Sequence, residues 1–85
     1  MSPVEAFRWG ARLRAAMRAG GWSQRNLAWR VDCARSTLGM VLIGLRRPNA
    51  ELQGRLADHL NRPAAALFPR TQAEARNHPI EELTR

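Results

Sequence analysis

Eighty-five residues, 45% apolar and 25% charged, leave room for one modest core and argue against wholesale disorder. The net charge is +7, every cation is arginine, and residues 1–69 hold the whole excess, so the body attracts polyanions, nucleic acid first, unless coding bias alone explains it. One cysteine, two histidines and scattered acids supply no disulfide, metal cluster, cofactor loop or nucleophile motif, and no apolar run approaches a membrane span; the chain reads as a cytoplasmic non-enzyme without metal, cofactor or membrane contact.

Ser2-Pro3-Val4-Glu5 opens the chain with an N-cap, a proline suited to the first helical position and the glutamate of a capping box. Phe7, Trp9, Leu13, Ala16 and Met17 then recur at helical spacing up to Gly20-Gly21, which ends the first helix. Ser23 caps a second helix with Leu27, Ala28 and Val31 on its inner stripe, interrupted at Asp32-Cys33-Ala34. A third follows over 35–43, with Leu38, Val41 and Leu42 apolar, and stops at Gly44. Leu45-Arg46-Arg47-Pro48 is a basic loop, after which Asn49 caps a fourth helix carrying Leu52, Leu56, Ala57 and Leu60. Asn61 terminates it, and 63–68 makes a short fifth helix before Pro69. Thr71-Gln72-Ala73-Glu74 is another capping box, predicting a short sixth helix that His78-Pro79 breaks, with the remainder helical or frayed. With no sustained alternation and no hairpin dipeptide, the fold is all-α.

The informative stretch is Ser23 to Pro48: a capped helix, a three-residue turn, a second helix and a basic loop. Helices joined by so short a turn cross steeply, and the second projects one face away from the body, as a helix that reads DNA must. Trp9-Gly10 with Leu13-Arg14, Gly21-Trp22-Ser23-Gln24, Leu27-Ala28, Arg35-Ser36-Thr37-Leu38 with Val41 and Gly44, Pro48, Leu56-Ala57 with Leu60, and Leu67-Phe68 stand in an ordered series. That series resembles the Cro/phage-repressor-like (XRE) helix-turn-helix proteins, from about Trp9 to Phe68. Three positions depart from the pattern: Asp32 replaces the turn glycine, Ala34 replaces a Ser or Thr cap, and Leu42 stands where an acid is common.

The resemblance implies a compact five-helix, lambda-repressor-like domain over 1–69 and an extension over 70–85 that could dimerise the chain. It implies a regulator of transcription, a repressor, that binds double-stranded DNA as a homodimer. Arg35, Ser36, Gly39 and Met40 are then expected at base edges, and Ser23, Gln24, Thr37, Ile43, Arg46, Arg47 and Asn49 on the DNA backbone. Met40 and Ile43 can also touch thymine methyls or sugars.

For Arg35 a phosphate-only contact and a solvated surface role stay open, as do an idle charged loop for Arg46-Arg47 and a salt bridge for Arg14. Arg8, Arg12 and Arg18 read as a solvated face. Trp9, Leu13, Trp22, Leu27, Val31, Leu38, Val41, Leu56, Leu60 and Phe68 read as core, and Cys33 as a small buried hydrophobe. Trp29 lies off the inner stripe, and Leu42 and Leu45 add apolar surface near the third helix. Ile80 and Leu83 either cover that surface, exchange with a second subunit, or join the others in the chain's own core. Two other readings stay open: an antitoxin-type or phage-type autoregulator that also holds a protein partner, and an interaction module that has lost DNA binding. RNA binding is disfavoured by 6% aromatics and no tyrosine.

Overall fold

The computed structural model describes residues 8–84 as six α-helices and a closing 3-10 turn, with no strand among them. The helices are α1 (Trp9–Gly20), α2 (Gln24–Arg30), α3 (Arg35–Leu42), α4 (Ala50–Leu60), α5 (Ala64–Leu67) and α6 (Gln72–Asn77); the 3-10 turn spans Ile80–Thr84. Three starts are side-chain capped as their residue types predict. Ser23 Oγ accepts from the Asn26 N–H at 3.1 Å, Asn49 Oδ1 from Leu52 at 2.8 Å, and Thr71 Oγ1 from Glu74 at 3.1 Å.

α1, α2, α3 and α4 all stop in the same way. Gly21, Asp32, Gly44 and Asn61 sit in the left-handed region, with φ of 71, 57, 82 and 55°. The N–H of the next residue then bonds five positions back: Trp22 to Met17, Cys33 to Ala28, Leu45 to Met40 and Arg62 to Ala57, at 2.8–3.1 Å. Asp32 therefore takes the turn between α2 and α3 without a glycine, which its short polar side chain tolerates.

The start of α1 differs from expectation. Arg8 is extended (φ −70°, ψ 123°) and offers no side-chain cap, so this helix begins at Trp9. The Ser2–Glu5 capping box and Phe7 lie outside the described residues. Contact with α3 anchors this end instead: the Trp9 indole donates to the Val41 carbonyl at 2.8 Å.

α1 is the hub, packing against α3, α4, α5 and the 3-10 turn, while α2 packs on α3. Leu13, Leu27, Leu38, Leu56 and Leu67 are fully buried in one cluster with Val31, Val41, Leu60 and Phe68; Trp9 and Trp22 lie partly buried at its edge. Two apolar positions expected at the surface join this core. Leu42 is only 6% exposed because it follows Leu38 by one helical turn on the inner side of α3, and Leu83 is fully buried where the 3-10 turn lies along α1. Ile80 packs against the same cluster, half-buried.

Arg12 also departs from expectation. It is not on a solvated face but fully buried. Its guanidinium donates to the carbonyls of Ala66 (2.9 Å), Ala75 (2.9 Å) and His78 (2.5 Å), at the ends of α5 and α6. Those are helix-terminal carbonyls without partners further along their own helices, so one cation satisfies several at once. Burial lowers the affinity of Arg12 for its proton, and the nearby Glu81 carboxylate opposes that. Arg8, Arg14 and Arg18 remain exposed.

Candidate nucleic-acid interface

α3 divides its residues between two sides. At 3.6 residues per turn, Arg35, Ser36, Gly39, Met40 and Ile43 fall within an arc of about 140°, and Leu38, Val41 and Leu42 fall outside it, with Leu42 at its edge beside Arg35. Burial agrees with the geometry. Leu38 and Val41 are fully buried, whereas Arg35 and Ser36 are exposed, Met40 is 37% exposed and Ile43 62%. Ile43 ends the helix in place of continuing it.

The start of α3 carries no side-chain cap, because Ala34 has nothing to accept with, although its backbone is extended like that of a capped start. Gln24 reaches this start from the neighbouring helix as a donor to a carbonyl, and does not replace the cap. Its Nε2 donates to the Arg35 carbonyl at 3.3 Å, and a Cβ placed on Gly39 would lie 3.1 Å from that nitrogen. The absent side chain at Gly39 thus makes room for Gln24, a role that the resemblance had not implied. Ser23 is exposed beside it, its hydroxyl engaged in capping α2.

Thr37, Arg46, Arg47 and Asn49 come together around a concavity of about 300 Å³ between the Asp32-Cys33 turn and the first turns of α4. The two arginines in this loop differ. Arg46 is exposed. Arg47 is half-buried, donates from Nη2 to the Phe68 carbonyl at 2.7 Å and stacks 5.5 Å from the centroid of the Trp9 ring. Gln53, buried on α4 and unremarked in the sequence, fastens the same loop by donating to the Pro48 carbonyl at 2.8 Å. Its register three residues before Leu56 and seven before Leu60 places it on the inner face of α4.

Cys33 sits half-buried in the wall of this concavity. Burial, then the Asp32 carboxylate, push its thiol up from the ordinary range; Arg55 and the Leu38 amide pull the other way. Arg55 also pairs with Glu51 at 2.5 Å and donates to the Val31 carbonyl at 3.3 Å, tying α4 to the end of α2.

Of the residues expected at a protein interface, Trp29 (79% exposed) and Leu45 (76%) remain at the surface. Leu42 and Leu83 are core residues of the chain itself and offer no surface, and Ile80 offers little. No group of three or more His, Cys, Asp or Glu among the described residues is placed to hold a metal ion. No helix among them is long and apolar enough to cross a membrane.

The family profile described as a helix-turn-helix domain matches residues 8–67, from the start of α1 through α5. No curated protein and no solved structure matches the chain. Helix-turn-helix domains are DNA-binding and typically non-enzymatic. With α2, the Asp32 turn and α3 set out as that family requires over most of its length, the chain belongs to the helix-turn-helix domain family, of the XRE/Cro-like type.

Proposed function

We propose that the protein is a sequence-specific, double-stranded-DNA-binding regulator of transcription, acting as a repressor with α3 in the major groove. The observation that carries this reading is the outward face of α3: Arg35, Ser36 and Met40 are exposed on a helix whose other face is locked into the core. The fork of Arg35 suits guanine O6 and N7, a contact worth about 1–3 kcal/mol of discrimination. Ser36 and Met40 flank it, and Gly39 between them leaves room for the Gln24 amide. Ser23, Gln24, Thr37, Ile43, Arg46 and Asn49 surround that face and set the register on sugar and phosphate. One module of this size reads few base pairs, so two copies on half-sites about 34 Å apart supply affinity and specificity.

Selection of bound duplexes from a random pool tests the reading. An enriched half-site is expected, and Arg35→Ala then weakens binding by about 1–3 kcal/mol and relaxes preference at one base position. Indifference of the wild-type protein to duplex at low ionic strength refutes DNA binding; unchanged preference in the variant refutes the assignment of α3.

A specific observation favours a second reading, in which the regulator also holds a protein partner through α2. A tryptophan 79% exposed beside the turn of the motif is the kind of group that interfaces cover. If α2 is such an interface, Trp29→Ser lowers the sedimenting mass of the purified species at unchanged fold. If the mass and duplex affinity both stay as in wild type, that role is discarded.

A further inference from the structure

The basic loop after α3 holds two adjacent arginines that the sequence treats as equals. Arg46 is exposed, and among the described residues it has no hydrogen-bond or ion-pair partner. Arg47 is turned inward: its Nη2 donates to the Phe68 carbonyl at 2.7 Å and its guanidinium lies 5.5 Å from the Trp9 centroid. A guanidinium over an indole at that distance is held by the ring quadrupole, and partial desolvation strengthens the attraction. Trp9 continues the chain of contacts, since its own N–H is bonded to the Val41 carbonyl at 2.8 Å in the last turn of α3. A line therefore runs from the end of α5 through Arg47 and Trp9 to the carboxyl end of α3. The loop is pinned on both sides of it, by Leu45 N–H to Met40 at 3.0 Å and by Gln53 to Pro48 at 2.8 Å.

We infer that Arg47 is a positioning residue, which braces the loop and the far end of α3, while Arg46 alone delivers the loop's charge to phosphate. The inference rests on the DNA-reading function proposed above. Reaching phosphate would cost Arg47 both its carbonyl and its ring. Arg46, immediately before it, is presented outward by a loop already ordered, so less conformational freedom is lost on binding.

Arg46→Gln, Arg47→Gln, Arg47→Lys and Trp9→Phe are compared with wild type on a duplex taken from the random-pool selection, with affinity followed across salt concentration. Arg46→Gln lowers the salt slope by about one for each protomer bound. Arg47→Gln leaves the slope at the wild-type value but weakens binding by about tenfold. Arg47→Lys restores part of that loss, because an ammonium can still sit over the ring, and Trp9→Phe weakens binding with the slope intact. A slope reduced by about one for each protomer bound in Arg47→Gln overturns the inference. A second readout needs no DNA: the Trp9 indole N–H and the backbone amides of residues 9, 41 and 42, remote in sequence from the loop, shift in Arg47→Gln and stay in place in Arg46→Gln. Unshifted resonances in Arg47→Gln also overturn it. Failure of the wild-type protein to bind any duplex would instead refute the DNA-reading function, and the resonance comparison would still decide whether Arg47 braces the loop.

Discussion

The indole nitrogen of Trp9 donates to the carbonyl oxygen of Val41 across 2.8 Å, joining the first turn of α1 to the last turn of α3. The residue after Trp9 has no side chain for a reason: a Cβ on Gly10 would overlap the Leu42 carbonyl oxygen. Because that obstacle is backbone, Gly10→Ala must push α3 away from α1. The expected outcome is a loss of about 1–3 kcal/mol in unfolding free energy, read by denaturant titration, with a weaker grip on duplex.

Arg12→Met keeps much of the stem's bulk but removes every donor to the carbonyls of Ala66, Ala75 and His78. Leaving buried acceptors unpaired should destabilise the domain by about 3 kcal/mol or more, a fall in Tm of more than about 10 °C. Hydrogen exchange should show residues 72–84 losing protection first. Equal protection in variant and wild type would mean that apolar packing of Leu83 alone holds this segment.

Ala34→Ser tests the uncapped start of α3. Ala34 is exposed and already extended (φ −65°, ψ 142°), so a serine hydroxyl there can accept from an amide of the first turn without rearrangement. A gain of about 1 kcal/mol is expected from thermal melts.

Cys33 should be a slow thiol. Burial and Asp32 raise its pKa, so at any pH below that value a smaller fraction is thiolate than in an unstructured peptide. Alkylation by iodoacetamide near neutral pH should run slower than for a cysteine peptide, and its pH midpoint should lie higher. In denaturant the two should converge. A midpoint below that of the peptide would show that Arg55 outweighs burial.

Local chemistry was legible wherever the chain talks to its own neighbours. Ser23, Asn49 and Thr71 announce helix starts because a short side-chain oxygen reaches an amide three residues on. Gly21, Asp32, Gly44 and Asn61 announce the ends because left-handed backbone suits few residues. The outward face of α3 follows from the same periodicity. What escaped was tertiary. Arg12 lies three residues after Trp9 and four before Ala16, hence on the inner face of α1, yet only the fold supplies the carbonyls that make burial of a cation tolerable. Leu42 seemed surplus because the family often has an acid there, although its spacing from Leu38 points inward. The division of labour between Arg46 and Arg47 depends on Trp9 and Phe68, both remote in sequence, so adjacency on the page could not reveal it.

The acceptors of Arg12 stand 54, 63 and 66 positions downstream of it. A chain that ends before residue 72 offers Arg12 only the Ala66 carbonyl of these three, so the cation is expected to stay partly hydrated and α1 to dock incompletely. Translation stopped shortly after Phe68 would release a product containing the whole recognition motif and a hydrated cation where its core should close. Such a fragment is expected to be cut by protease faster than the chain that carries residues 72–84, and limited digestion of the two side by side checks this.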